Sequence, residues 1–236
     1  MSQQFGNIGR YSSLPPVIKN LIIINVLVFL LQLGMERMNI DLSLILGLFT
    51  WDSPFFRPWQ LVTHMFMHST VNFTHILFNM FALWMIGTPV ENVLGTKKFL
   101  ILYFISGLGA ALCQMVVSHF MLAEFMTIVH TYPEQYGQLL QQPYSPVNVP
   151  MVGASGAVYG ALFAFGFMFP NAIVQIYFLF PMKAKYFVAI LAVVGLVSGI
   201  SNSPGDNVAH FAHLGGMLFA FFILAYWKSK GKLFLR

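Results

Sequence analysis

Met151-Val152-Gly153-Ala154-Ser155-Gly156 opens an apolar run that reaches Phe169, and His210-Phe211-Ala212-His213-Leu214-Gly215-Gly216 lies just inside another, Val208 to Trp227. A serine and a histidine inside helices of membrane length cost free energy unless they are paired or functional. Together they are the parts of a nucleophile and a base.

The rest of the chain fits a bilayer. Of 236 residues, 58% are hydrophobic and 8% charged, against about 25% charged in a soluble domain. Mean hydropathy is +0.74. Six runs of membrane length can be drawn: Val17–Met35, Val71–Val90, Phe99–His119, Met151–Phe169, Ala184–Ser201 and Val208–Trp227. The expectation is an all-α, polytopic bundle of six transmembrane helices. Residues 1–16 read as a cytoplasmic tail and 17–236 as one transmembrane domain. The first run is followed by no small-residue cleavage site and reads as a retained span. A long outside loop covers about residues 120–150. One cysteine, Cys113, excludes an intramolecular disulfide.

Charge gives an orientation. With the N-terminus inside, 10 of the 12 Lys and Arg residues fall on the inner side and only Arg37 and Arg57 outside. That follows the positive-inside rule, with both termini cytoplasmic. A pI near 9.4 is then a topology signal, and nucleic acid is not an expected partner.

In this topology the second, fourth and sixth runs all start outside. They carry His75 and Asn79, Ser155, and His210 and His213 near their starts. At about 1.5 Å rise per residue from Pro150 and Asp206, Ser155 and His213 both fall roughly 8–10 Å below the outer boundary. Taken singly, each residue is more simply a helix-packing or hydrogen-bonding group. Their common depth favours a site. Gly156 and Gly160 lie beside Ser155, and Gly216 and Ala220 share the face of His213, so these two backbones can approach closely. His210 has no such face, which favours His213 as base. Tyr159, four residues after Ser155, can pack on the imidazole. The runs hold no carboxylate at this depth, so a dyad is expected rather than a triad. Ser155 N–H near a helix N-terminus, His75 and Asn79 are candidate oxyanion donors. Gly153 permits backbone geometry that a side chain would block.

Together, in order, His75-Ile-Leu-Phe-Asn79, Glu91 with Gly95, Gly153-Ala154-Ser155-Gly156 with Tyr159, and Ala212-His213-Leu214-Gly215-Gly216 resemble the rhomboid family of intramembrane serine proteases. The resemblance covers roughly residues 58–227. It implies six helices with a shortened fourth, a water-filled cavity open to the outside, and cleavage of transmembrane segments of other proteins. By motif it makes Ser155 the nucleophile and His213 the general base. His75, Asn79 and the Ser155 backbone become the oxyanion hole, with Tyr159 stacked on the histidine and Gly216 permitting the helix approach. Expected partners are transmembrane protein substrates and the lipid bilayer, in a bacterial inner membrane. No cofactor or metal is expected. Two other readings stand beside this one: a catalytically inactive relative that binds transmembrane helices, and a metal site built from His64, His68, His75 and His213.

Overall fold

The computed structural model describes residues 14–176, 180–201 and 209–233. All but the last three residues of the expected tail lie outside them, as does the turn before the sixth run. The described chain is predominantly helical. Five helices are long and apolar enough to cross a membrane: α1 (Pro16–Glu36), α2 (Phe73–Leu94), α3 (Thr96–Met121), α6 (Ala184–Ser201) and α7 (His210–Ser229). Two shorter helices intervene, α4 (Ala123–Thr131) and α5 (Ser155–Met168).

The fourth run is therefore shorter than its hydropathy implies. Residues 151–154 are not helical. Met151 instead exchanges backbone hydrogen bonds with Leu48 at 2.8 and 2.9 Å. Ser155 is thus the first residue of its helix, and helix rise from Pro150 does not set its depth. The same correction applies to His213, the fourth residue of α7. The site lies where the helices begin.

The helical bundle carries one short ribbon: Pro170-Asn171 follows α5, and β1 (Ile173–Ile176) pairs antiparallel with β2 (Phe180–Lys183), Ile173 opposite Lys183. Pro181 is tolerated because each strand of this ribbon is an edge. The 120–150 loop is also largely structured, by α4 and short helical turns. It packs on the segment after α1, where Ser53 Oγ donates to Asn148 Oδ1 at 2.6 Å and the Tyr144 hydroxyl donates to Asp41.

Local chemistry explains the helix boundaries. Asn72 caps α2 by accepting the Thr74 N–H at 3.1 Å, so α2 starts at Phe73 rather than Val71. Pro89 has no N–H to give the preceding turn, and the helix widens to a π-type turn over Leu83–Gly87. No side chain of its own caps α1. Glu91 does so from the far end of α2: its two carboxylate oxygens accept the N–H groups of Val17 at 3.0 Å and Ile18 at 2.9 Å. A carboxylate at a helix N-terminus meets both the free donors and the positive end of the dipole.

These contacts define two ends of the bundle. One holds the start of α1, the end of α2, the start of α3 and the end of α7, where Lys98 Nζ donates to the Lys232 carbonyl. The other holds the segment after α1 and the end of α3, joined by Asp52 and His119 at 2.9 Å. In the centre, α3, α5 and α7 meet through small residues. Cβ atoms built on Gly156, Gly160 and Gly216 would overlap Ala110, Ser106 and the Gly156 backbone respectively. The small stripe of α5 therefore serves α3 as well as α7.

Candidate active site

Three helix starts converge. His75 is the third residue of α2, Ser155 the first of α5 and His213 the fourth of α7. Ser155 Oγ lies 2.8 Å from His213 Nε2, within the range for proton transfer between a hydroxyl and an imidazole. Both residues are half-buried, so the pair is held in protein yet not sealed off. The approach follows from packing. At Gly216 the backbone of α7 rests on the Gly156 carbonyl, where no side chain fits.

The Tyr159 ring lies parallel to His213, centroids 4.1 Å apart and planes 4° apart. Position i+4 from Ser155 puts it on the serine's face of α5. His210 meets His213 edge-on at 6.4 Å and lies one turn nearer the helix end. Of the two histidines, the structure brings His213 to the serine hydroxyl.

The Ser155 N–H is at a helix N-terminus, where intrahelical acceptors are missing. Gly153 has φ +135°, and a Cβ there would sit 2.9 Å from His75 Nε2. A side chain at 153 is thus excluded both by backbone strain and by the imidazole. His75 Nδ1 receives the Ser69 N–H at a long 3.4 Å. That places the ring proton on Nε2, the nitrogen facing Gly153. Asn79 is committed differently from the expectation. Its Nδ2 donates to the His75 carbonyl at 2.8 Å, leaving one amide hydrogen for any other acceptor.

Sequence reasoning missed the support behind His75. His68 is fully buried, and its ring packs edge-on against His75 at 5.1 Å. Gln32, on α1, clamps the His68 backbone from both sides. Its Nε2 donates to the His68 carbonyl at 2.8 Å and its Oε1 accepts the His68 N–H at 3.0 Å. A glutamine within an apolar span was the available signal. His64 also acts through its backbone, its carbonyl accepting the Gly153 N–H at 3.0 Å. Its Nδ1 donates to the Gln60 carbonyl at 2.7 Å. Burial pushes both His64 and His68 down to about 4, so both are neutral at physiological pH. Among the described residues no three His, Cys, Asp or Glu side chains come together as metal ligands.

Residues 56–230 match the family model described as the rhomboid domain. The chain is 27% identical over 167 residues to the rhomboid protease GluP of Bacillus subtilis (strain 168), covering 71% of this chain and 25% of that protein. It is 30% identical over 146 residues to the mitochondrial rhomboid protein 1 of Saccharomyces cerevisiae, covering 62% and 36%. With the rhomboid protease GlpG of Pectobacterium atrosepticum it shares 28% over 174 residues, covering 74% and 50%. The chain thus spans a quarter to a half of the length of these relatives. The match takes in α2 to α7 and every residue brought together at the helix starts except Gln32, and on it this chain, a multi-pass integral membrane protein, belongs to the rhomboid family.

Proposed function

We propose that the protein is an intramembrane serine endopeptidase that hydrolyses peptide bonds in or near transmembrane segments of other proteins. The observation that carries this reading is the 2.8 Å contact between Ser155 Oγ and His213 Nε2, with Tyr159 stacked behind the imidazole. Names of similar proteins, such as the rhomboid proteases of Bacillus subtilis and Pectobacterium atrosepticum, support it.

The chemistry divides among these residues. Ser155 Oγ attacks the scissile carbonyl carbon while His213 Nε2 takes its proton. Charge develops on the carbonyl oxygen, which the Ser155 N–H, His75 Nε2–H and the second Asn79 amide hydrogen stabilise. Collapse breaks the C–N bond, and His213 returns the proton to the leaving amine. Water, deprotonated by His213, then hydrolyses the acyl-enzyme. Tyr159 holds the imidazole plane, a task that an acid fills in a triad.

Because one Asn79 hydrogen is spent on its own helix, its contribution should sit at the lower end for such donors. Asn79→Ala is expected to lower kcat by about 10²-fold with little change in KM. A raised KM at unchanged kcat would reassign Asn79 to binding.

We further propose that residues 17–236 act as one transmembrane unit, with residues 1–16 as its tail. The lysine-bearing end then faces the cytoplasm of a bacterial cell, as the distribution of basic residues supports. Ser155, His75 and His213 all sit at helix starts on the opposite side. A continuous substrate helix hides its carbonyls in hydrogen bonds. Cleavage should therefore fall near the outer boundary of the substrate span, at residues that unwind easily, glycine among them. Mass spectrometry of products from a panel of purified transmembrane substrates tests this. Cuts mapped to the cytoplasmic half of the span would refute the placement.

A further inference from the structure

A groove of about 490 Å³ runs between α5, α6 and α7, from Lys185 at the lysine-bearing end to Leu214, the neighbour of His213. Its walls are apolar, formed by Phe167 of α5, Val188 and Ala192 of α6, and Met217 and Phe221 of α7. Cations from two helices lie at its lysine-bearing end. Lys185, at the start of α6, lines the groove. Lys228, at the end of α7, holds its ammonium 5.9 Å from the ring centre of Phe167. We propose that this groove is a binding site for an anionic phospholipid, with the phosphate between Lys185 and Lys228 and an acyl chain along the apolar walls.

Charge selects this occupant. Neither lysine has a carboxylate partner among the described residues, where the one ion pair joins His119 and Asp52. Glu91 is the one carboxylate placed at this end among the described residues, and it is buried and engaged with the Val17 and Ile18 N–H groups. Among the described residues these cations therefore have no carboxylate counter-ion, and in the proposed topology they lie at headgroup depth. Exposed Tyr186 and Tyr226 flank them, and aromatic residues of this kind mark headgroup depth. Lys185 lies 5.1 Å from the Tyr186 ring centre. Basic pockets between helices on this side are the sites that hold anionic headgroups.

The groove also has the length. From Lys185 to Ala192 is about 10 Å of helix, most of one leaflet of a core about 30 Å thick. Gly166 lets α5 and α6 approach closely at the groove floor, where a Cβ would press on Val188, and Ala192 leaves the wall of α6 low. α6 is the least buried of the membrane-length helices. A lipid in the groove would add packing where the protein itself supplies least.

The test is lipid retention by the full chain, measured by native mass spectrometry after exchange with phosphatidylglycerol or phosphatidylcholine. Wild type should retain phosphatidylglycerol preferentially. At about fivefold per lysine, Lys185→Gln with Lys228→Gln should weaken its retention about 30-fold. Lys19→Gln with Lys97→Gln removes equal charge from the same end, away from the groove, and should change retention by less than about twofold. Ala192→Phe fills the groove without changing charge and should also weaken retention. Equal loss in the two lysine pairs would overturn the proposal in favour of diffuse surface charge. Equal retention of the two lipids by wild type, or unchanged retention in a folded Ala192→Phe protein, would overturn it as well.

Discussion

Replacement of Ser155 by alanine is expected to reduce cleavage of every transmembrane substrate to background, a loss of about 10⁴-fold or more. The hydroxyl is the proposed nucleophile, and it is the one hydroxyl hydrogen-bonded to the His213 ring among the described residues. Folding should persist. The lost oxygen leaves His213 Nε2 without its partner, but the site is half-open and water can replace it, so the cost should be about 1 kcal/mol. The companion measurement is labelling by a serine-directed fluorophosphonate. Labelling should vanish in Ser155→Ala and in His213→Ala and persist largely in His210→Ala, whose ring reaches His213 only edge-on at 6.4 Å. Wild-type turnover by purified Ser155→Ala would end the serine-protease reading. A folded wild-type protein that neither labels nor cleaves would favour an inactive binder of transmembrane helices.

The second large effect is expected at a residue with no chemistry of its own. Gly216→Ala should lower kcat by about 10²-fold or more while the protein remains folded. An alanine Cβ at 216 would overlap the carbonyl oxygen of Gly156, and backbone cannot yield as a flexible side chain does. α7 must shift, and His213, on the same face, shifts with it. A displacement of about 1 Å is enough to cost about 10²-fold when a reacting pair depends on its separation. Overpacking should also destabilise the protein by about 1–3 kcal/mol. Gly195→Ala is the control, because a Cβ there meets Leu214 at an ordinary 3.7 Å. Equal activity loss in the two variants would show that the effect is general destabilisation rather than displacement of His213.

Much of this was legible in the chain. Apolar runs gave the spans because each membrane-length helix must be apolar whatever its neighbours are. The boundaries of the fifth run were already those of α6. Ser155, His213 and Tyr159 stood out because polar groups in such runs need a reason, and the i+4 relation of Tyr159 to Ser155 and the i+3 relation of Gly216 to His213 depend only on helix geometry. The sequence by itself therefore determined the membrane class, the helical fold and the candidate pair.

Other features depended on partners far away in sequence. Residues 151–154 read as helix by hydropathy, yet Leu48 holds Met151 in a bridge. Hydropathy records affinity for lipid and is blind to a backbone hydrogen bond across a hundred residues. The start of α1 carries no cap of its own, since Glu91 supplies one from α2. Gln32 is a polar residue in an apolar span, and its partner, the His68 backbone, lies 36 residues away in sequence. Only the tertiary structure decided that Asn79 spends one hydrogen on its own helix, that His68 backs His75, and that Lys228 reaches the ring of Phe167, which lines one groove with Lys185. Each of these is a contact between side chains and groups whose separation is fixed by packing, and packing is a property of the folded chain rather than of any one segment.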